Sequence, residues 1–302
     1  MGEIAFAPRE ELLTFEEITR VVGILAREGV HDVRLTGGEP LVRRDLPRLV
    51  EMLAAVPGVN DLAMTTNGIL LPKFAKALRA AGLKRLNISL DTLNEETFRQ
   101  ISRREGVDRV LAGIGAALEA GFTNVRLNAI AIRGLTEAEV EPLVRYASSR
   151  FLTIRFIEYM PLDADRAWSD GSVLSGDEIV ALVKGCFGEL RAVSPPSESQ
   201  PSRDYELIDM PRSKDGLAPR FGVIRPVTAP FCGACDRLRL TAEGMVRNCL
   251  FSMDEWALKG LLRGEGTDEQ ILACIQEAVF HKRAGHLINQ HGFAQPDRPM
   301  YS

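Results

Sequence analysis

The sequence predicts an α/β protein that forms a partial, incomplete TIM-type β/α barrel and ends in a smaller region. Three observations support this. Strand patterns alternate with amphipathic helix patterns up to about residue 190, and strands with helical crossovers pair in parallel. Only five such units occur, too few to close an eight-stranded barrel. A Ser/Pro-rich loop and short strands then replace the alternation. We therefore expect a barrel domain of residues 1–190 and a smaller C-terminal region of residues 191–302.

The first predicted element is an amphipathic helix. Thr14 and Glu17 have capping-box spacing, and Gly29 is placed to end the helix. The elements that follow are the strand DVRLTGGEP, a helix from Asp45, the strand DLAMTTNG, a helix from Pro72, the strand RLNISLD, helices over residues 95–102 and 107–120, the strand NVRLNAIAI, a helix capped by Thr136 and Glu139, and the strand TIRFIEYM.

Small or polar residues follow four of these strands. They are Gly37-Gly38-Glu39, Thr65-Thr66-Asn67-Gly68, Ser89-Leu90-Asp91 and Met160-Pro161. The carboxyl ends of parallel strands converge on one face of a β/α array, and binding sites lie there. We therefore expect a site at this face.

The C-terminal region is predicted to contain the short strands YELIDM, RFGVIRP, RLRLTAEG and MVRNCL, then helices over residues 254–262 and 268–287. The turn Ala242-Glu243-Gly244-Met245 makes a hairpin of the last two strands. This hairpin would return Cys249 to the neighbourhood of Cys232 and Cys235.

Composition limits the function classes. The chain has 302 residues, 45% of them hydrophobic, and a formal net charge of -4. An acidic balance argues against nucleic acid or an acidic membrane as a partner. No apolar run approaches the roughly 18 residues of a membrane span, and no signal peptide opens the chain. We therefore expect a cytoplasmic protein and leave its oligomeric state, including a homodimer, open.

The five cysteines are odd in number and three are clustered, which favours metal binding over a disulfide framework. Cys186 and Cys274 stand apart and are interpreted as ordinary core or surface residues. The other three fit a structural zinc site if a histidine supplies a fourth ligand, or an iron-sulfur cluster with one open iron. A thioredoxin-like dithiol fits less well because the third cysteine would be idle. Candidate fourth zinc ligands are His281, His286 and His291.

Two arginines follow the CxxC pair. Alternation along a strand would place Arg237 and Arg239 on one face, and paired guanidinium groups suit phosphate oxygens. The same pattern also fits an exposed strand face with surface ion pairs. Triphosphate binding is therefore one of two interpretations.

Five segments together carry a resemblance to a known family: RLTGGEPLVRRDL, MTTNG, LNISLDTL, RFIEYMPL and FCGACDRLRLTAEGMVRNCLF. In this order they resemble the GTP 3′,8-cyclases of molybdenum cofactor biosynthesis, which are radical S-adenosylmethionine (SAM) enzymes. GGEP alone indicates only the wider radical SAM superfamily, whereas the last segment is highly specific. The resemblance runs from about Gly2 to Tyr301.

The resemblance implies a lyase that converts GTP into (8S)-3′,8-cyclo-7,8-dihydroguanosine 5′-triphosphate by SAM-derived radical chemistry. It implies that Gly38, Ser89 and Met160 line the SAM pocket. The implied GTP contacts are Arg34, Thr65, Arg237, Arg239 and, in place of the family's usual lysine, Arg126. Cys232, Cys235 and Cys249 match the ligands of a C-terminal [4Fe-4S] cluster, and Arg155 corresponds to a basic residue of the same active-site face. The resemblance thus implies a radical SAM partial barrel over residues 1–190 and a cluster-binding region, which binds iron-sulfur and GTP, over residues 191–302.

The chain departs from the family at both ends. The family's N-terminal CxxxCxxC segment, which holds the SAM-cleaving [4Fe-4S] cluster, and its C-terminal Gly-Gly pair have no match here. We therefore expect an incomplete fragment that is inactive as written, with a second cluster only in the intact protein. The alternatives are another radical SAM enzyme with an auxiliary cluster, such as a peptide-modifying one, and a non-catalytic zinc-binding scaffold.

Overall fold

The computed structural model describes residues 8–162, 167–286 and 288. Its main feature is an eight-stranded sheet with the order β1-β2-β3-β4-β5-β8-β7-β6. Strands β1 to β5 and β8 run parallel, whereas β7 and β6 are antiparallel to their neighbours. The strands are β1 (Asp32–Leu35), β2 (Asp61–Thr66), β3 (Arg85–Ser89), β4 (Val125–Ala131), β5 (Thr153–Glu158), β6 (Leu190–Ala192), β7 (Ser202–Leu207) and β8 (Arg220–Ile224).

The helices of the described residues connect these strands or pack near the C-terminal end. They are α1 (Phe15–Arg27), α2 (Leu46–Ala54), α3 (Leu71–Ala80), α4 (Glu95–Ser102), α5 (Val107–Glu119), α6 (Val140–Ser148), α7 (Gly176–Phe187), α8 (Lys259–Arg263) and α9 (Asp268–Phe280). Helix α1 begins with the predicted capping box, in which the Thr14 hydroxyl accepts from the Glu17 N–H. None of these helices is long and apolar enough to cross a membrane.

The sheet is open, because β1 and β6 lie at opposite ends of the strand order. The predicted α/β fold, an incomplete β/α barrel with five initial strand-helix units, is therefore confirmed. Strand β8 adds a further parallel strand next to β5. The predicted division at residue 190 falls within this sheet, since β6 to β8 continue it.

A second, smaller sheet lies near the C-terminal end, with strand order β11-β10-β9. Its strands are β9 (Arg239–Leu240), β10 (Met245–Arg247) and β11 (Trp256–Ala257). The predicted hairpin between β9 and β10 is confirmed, with Val246 opposite Leu240. Side chains of α1, α8 and α9 pack on this sheet in a core separate from that of the barrel. The N-terminal helix therefore stabilises the C-terminal region.

Two predicted helices differ from those observed. The predicted helix over residues 254–262 was wrong at its start, because β11 pairs with β10 and α8 begins only at Lys259. The predicted cap of α6 was also wrong. The Thr136 hydroxyl instead accepts from the Ile132 N–H and donates to the Ile130 carbonyl, and α6 begins at Val140. The predicted helix over residues 268–287 ends at Phe280, and residue 287 lies outside the described residues.

Candidate functional site

The carboxyl ends of the parallel strands carry the residues that the sequence singled out for SAM. Ser89 is the last residue of β3 and is exposed, Gly38 lies just after β1, and Met160 lies just after β5 and is partly buried. The partly buried Thr65 lies near the end of β2, opposite Asn87 of β3. The structure therefore brings all four residues to the side of the sheet where the parallel strands end.

Glu39 of the GGEP segment holds the loop after β1 against the end of β2. Its carboxylate accepts hydrogen bonds from the Thr66 hydroxyl and the Asn67 N–H, both at 2.7 Å, and from the Leu41 N–H at 3.1 Å. These bonds tie the loop after β1 to the end of β2. The neighbouring Gly38 is thus held at a defined position by a side chain of its own loop.

Arginines line the concave face of the sheet. Side chains alternate between the two faces of a strand, and the apolar ones of these strands pack against the helices. The opposite face carries four arginines: Arg34 of β1, Arg85 of β3, Arg126 of β4 and Arg155 of β5. Burial, followed by the charges of Arg155, Arg85 and Arg34, lowers the pKa of Arg126 to about 10. Solvent reaches Arg34, yet burial and the charges of Arg85, Arg237 and Arg155 lower its pKa. The guanidinium groups are therefore close enough to repel one another.

Two carboxylates partly compensate this charge. Arg85 donates through Nε to Asp61 at 2.8 Å and through Nη2 to the other carboxylate oxygen. Arg155 is buried, and its Nη2 lies 3.3 Å from Asp204 on β7. The four concave-face arginines and Arg237 outnumber these two aspartates, so the face is suited to a multiply charged anion.

Two buried polar atoms at this face have no hydrogen-bond partner among the described residues. They are Nε of Arg155 and Oδ1 of Asn128, and these two residues are direct partners in the β4–β5 register. Buried polar groups ordinarily find a partner in protein, water or ligand. A hydroxyl group placed between them could accept from Arg155 and donate to Asn128, so the pair is suited to a polar ligand group.

The cysteine motif lies beside the small sheet. Cys232 and Cys235 are at the two ends of a single turn, in which the Cys235 N–H donates to the Cys232 carbonyl at 3.1 Å. Cys249 follows β10, whose register with β9 brings Arg247 opposite Arg239. The segments that carry the three cysteines therefore leave the same end of the hairpin. All three thiols are free and partly exposed.

Positive groups surround Cys235. Nη1 of Arg237 lies 3.8 Å from its Sγ, and the same guanidinium lies over the Phe231 ring, 5.2 Å from its centroid. Burial raises the pKa of the Cys235 thiol, but the Arg237 backbone N–H and the charges of Lys282 and Arg237 outweigh it, so the pKa is lowered overall. A lowered pKa favours the thiolate, which is the form that binds metals.

The donor set fits an iron-sulfur cluster. No three His, Cys, Asp or Glu side chains in the described part of the chain could hold one metal ion. All ligands of a zinc site lie within about 2.3 Å of one ion, whereas three thiolates on a cluster bind three different irons and can stand farther apart. Free thiols, one with a lowered pKa, suit that arrangement.

The proposed fourth zinc ligands have other partners. Nδ1 of His281 lies 2.9 Å from the Glu277 carbonyl oxygen, and Nε2 of His286 lies 2.5 Å from that of Pro226. His291 lies outside the described residues. Each described histidine thus already has a backbone partner.

Arg237 and Arg239 do not share one strand. Strand β9 begins at Arg239, and Arg237 precedes it, so the alternation argument does not apply to Arg237. Arg237 instead donates to the Ser199 carbonyl at 2.7 Å. Its charge acts on Arg34 of the barrel, so the cysteine motif and the concave face adjoin.

The sequence interpretation missed four residues of the concave face, namely Asp61, Arg85, Asn128 and Asp204, and also missed Lys282 beside the cysteine motif. A signal was present. Strands buried on both faces are usually continuously apolar, but RLNIS and VRLNA place polar residues at every second position. That alternation indicates a polar concave face.

Comparison with known proteins agrees with these features. A family model described as the Radical SAM superfamily matches residues 3–147, and one described as Molybdenum Cofactor Synthesis C matches residues 152–288. Membership of the radical SAM superfamily implies SAM and a [4Fe-4S] cluster as cofactors. Among solved structures, methylornithine synthase is 21% identical, with a TM-score of 0.47 over 58% of this chain and 53% of that chain.

Two curated relatives with high sequence identity to this chain are both named GTP 3′,8-cyclase. The GTP 3′,8-cyclase of Rhodopirellula baltica is 51% identical over 98% of this chain and 82% of its own length. That of Acidothermus cellulolyticus is 44% identical over 91% of this chain and 74% of its own length. At this identity and coverage, the chain belongs to the GTP 3′,8-cyclase family of radical SAM enzymes.

Proposed function

We propose that this protein acts as a GTP 3′,8-cyclase, converting GTP into (8S)-3′,8-cyclo-7,8-dihydroguanosine 5′-triphosphate in molybdenum cofactor biosynthesis. The observation that carries the proposal is the excess of arginine on the concave face, directly beside three free cysteines. A nucleoside triphosphate supplies the compensating negative charge. The names of the relatives identify that nucleotide as GTP.

The triphosphate is assigned to the arginines. Arg34 and Arg126 offer guanidinium groups that are repelled by their neighbours in the free protein, so an anion relieves this repulsion. Arg237 and Arg239 approach from the hairpin side, and Thr65 adds a hydroxyl from β2. Apart from Arg237, which precedes β9, these donors lie on strands.

The SAM pocket is assigned to the neighbouring strand ends. Gly38 exposes backbone where the Glu39 contacts hold the loop in place, Ser89 offers an exposed hydroxyl, and Met160 offers an apolar side chain. Because SAM would lie at strand ends and GTP deeper on the same concave face, the two ligands are brought together. Such positioning is the main contribution of the protein to catalysis.

Cys232, Cys235 and Cys249 would hold a [4Fe-4S] cluster beside the GTP site. When bound, the iron-sulfur cofactors and SAM supply the one-electron chemistry of the reaction. The chain itself binds the nucleotide, orients its ribose and base, and excludes water from the concave face. A three-cysteine cluster has one iron without a protein ligand, which leaves room for the guanine ring.

A binding experiment tests the proposal. We would reconstitute the protein anaerobically with iron and sulfide, confirm its iron content, and titrate GTP, ATP and guanosine by calorimetry at fixed salt. GTP should bind most tightly, guanosine should lose the phosphate contribution, and ATP should lose the base contribution. Equal affinity for GTP and ATP would contradict the guanine assignment. Zinc instead of iron after anaerobic purification would favour the scaffold alternative.

A further inference from the structure

The C-terminal end of α9 and the residues just after it contact both segments that carry the cysteines. Next to Cys249, the buried Asn248 donates through Nδ2 to the Ala278 carbonyl at 2.8 Å. On the other segment, Lys282 donates through Nζ to the Arg237 carbonyl at 2.7 Å. Ala278 of α9 and Lys282 just after it thus fix the Cys249 segment and the Cys232–Cys235 segment relative to each other.

The chain just after α9 extends these contacts. Nε2 of His286 lies 2.5 Å from the Pro226 carbonyl oxygen, just after β8, and its ring packs edge-on against Phe251 with 5.3 Å between centroids. Residues 278–286 therefore contact the barrel just after β8, the Cys232–Cys235 segment and the Cys249 segment. Among these contacts, that of Lys282 places a positive charge beside the motif.

The position of Lys282 is specific. It is partly buried, whereas the next residue along the chain, Arg283, is exposed. Its ammonium group donates to the Arg237 carbonyl, which lies two residues from Cys235. Groups that hold metal ligands in this way typically change metal affinity when they are mutated.

We infer that Lys282 is a positioning residue for the cysteine motif, which fixes the Cys235–Arg237 segment and provides a positive charge beside a cluster bound there. This inference rests on the proposed [4Fe-4S] cluster at the three cysteines. A cluster with three thiolates carries net negative charge, so a nearby ammonium group stabilises the reduced form. Lys282 should therefore both strengthen iron retention and raise the reduction potential.

The test uses three variants of the full chain, all reconstituted anaerobically. Lys282→Met removes the charge and the donor, Lys282→Arg keeps both, and Arg283→Met removes one charge from an exposed neighbour. In competition with an iron chelator, Lys282→Met should hold iron roughly tenfold more weakly than wild type. Its reduction potential should fall, whereas Lys282→Arg and Arg283→Met should stay near wild type. Thermal unfolding checks that every variant is folded.

The possible failures can be told apart. If wild type binds no cluster, the proposed cluster site is wrong and this inference falls with it. If wild type binds a cluster but Lys282→Met matches it in iron retention and potential, the inference alone is overturned. Equal potential shifts in Lys282→Met and Arg283→Met, with unchanged iron retention, would show a long-range charge effect and also overturn the positioning role.

Discussion

Arg155 on β5 reaches Asp204 on β7 although β8 lies between their strands, with 3.3 Å from Nη2 to Oδ2. Gly222 of β8 is the register partner of both residues. A Cβ at this glycine would lie 2.4 Å from Oδ1 of Asp204 and from the Ser202 hydroxyl. The missing side chain therefore allows the ion pair that joins the parallel strands to the antiparallel edge of the sheet.

Gly222→Ala should break this arrangement. The added methyl group would displace Asp204 and Ser202, so we expect a loss of about 1 to 3 kcal/mol in the free energy of unfolding. Chemical denaturation followed by circular dichroism measures it. Gly185→Ala is the control, since nothing lies within 4 Å of a Cβ there and it lies in α7. Equal stability of the two variants would contradict the steric argument.

The cysteine assignment is tested by paired substitutions. After anaerobic reconstitution, Cys249→Ala should lose the absorbance of the [4Fe-4S] cluster, whereas Cys274→Ala should keep it. Cys274 lies in α9 and packs against the second core, where burial raises the pKa of its thiol. Iron content and the visible spectrum report the result. Equal loss from both variants would refute the assignment.

Much of the barrel could be predicted because its signals are local. Helix periodicity, the Thr14 capping box and the polar strand ends all lie within short segments of sequence. The start of α8 could not be predicted from local sequence, because the preceding strand β11 forms only by pairing with β10. The cap at Thr136 was also mispredicted, since its hydroxyl takes backbone partners at the end of β4, at Ile130 and Ile132. Tertiary contacts decided both elements.

The candidate site was predicted from motifs rather than from geometry. The strand-end positions of Gly38 and Ser89 follow from the alternation of strands and helices. The ion pair between Arg155 and Asp204 does not, because it joins residues far apart in sequence through a gap at Gly222. Such relationships depend on strand order, which local patterns do not specify.

Asp91 predicts a pH dependence of stability. Burial raises its pKa to about 6, and the Ile130 N–H, 2.8 Å from its Oδ1, only partly opposes this. The folded state therefore prefers the protonated form. Its contribution to stability is fully present below the unfolded pKa near 4 and is lost as the pH rises through about 6.

Asp91→Asn removes the charge and keeps an acceptor for Ile130. At pH 8 the variant should be more stable than wild type by about 1 to 2 kcal/mol, a figure reduced for the partial exposure of this side chain. At pH 4 the difference should nearly vanish. Unfolding free energies at both pH values provide the measurement. A constant difference across this range would exclude titration of Asp91 as its cause.

Arg237 and Arg239 are expected to contribute to triphosphate binding. Arg237→Ala and Arg239→Ala should each weaken GTP binding by about 1.5 to 3 kcal/mol, roughly ten- to a hundredfold. Lysine at either position should restore only part of the affinity, because it keeps the charge but lacks the guanidinium fork. Calorimetry with guanosine is the control, since the loss should shrink without phosphates. Unchanged GTP affinity with full iron content would place both arginines outside the GTP site.

Replacing Arg126 should raise the thermal stability of the free protein but weaken its binding of GTP. In the free protein its charge is disfavoured by burial and by neighbouring arginines, which lower its pKa to about 10. Arg126→Met removes this charge, so its unfolding temperature without nucleotide should be higher than that of wild type. GTP stabilises the folded state by an amount that grows with the logarithm of its affinity, and the variant lacks one positive partner for phosphate. The GTP-induced rise in unfolding temperature should therefore be smaller in the variant, and a lower starting temperature with an undiminished rise would show a purely structural role.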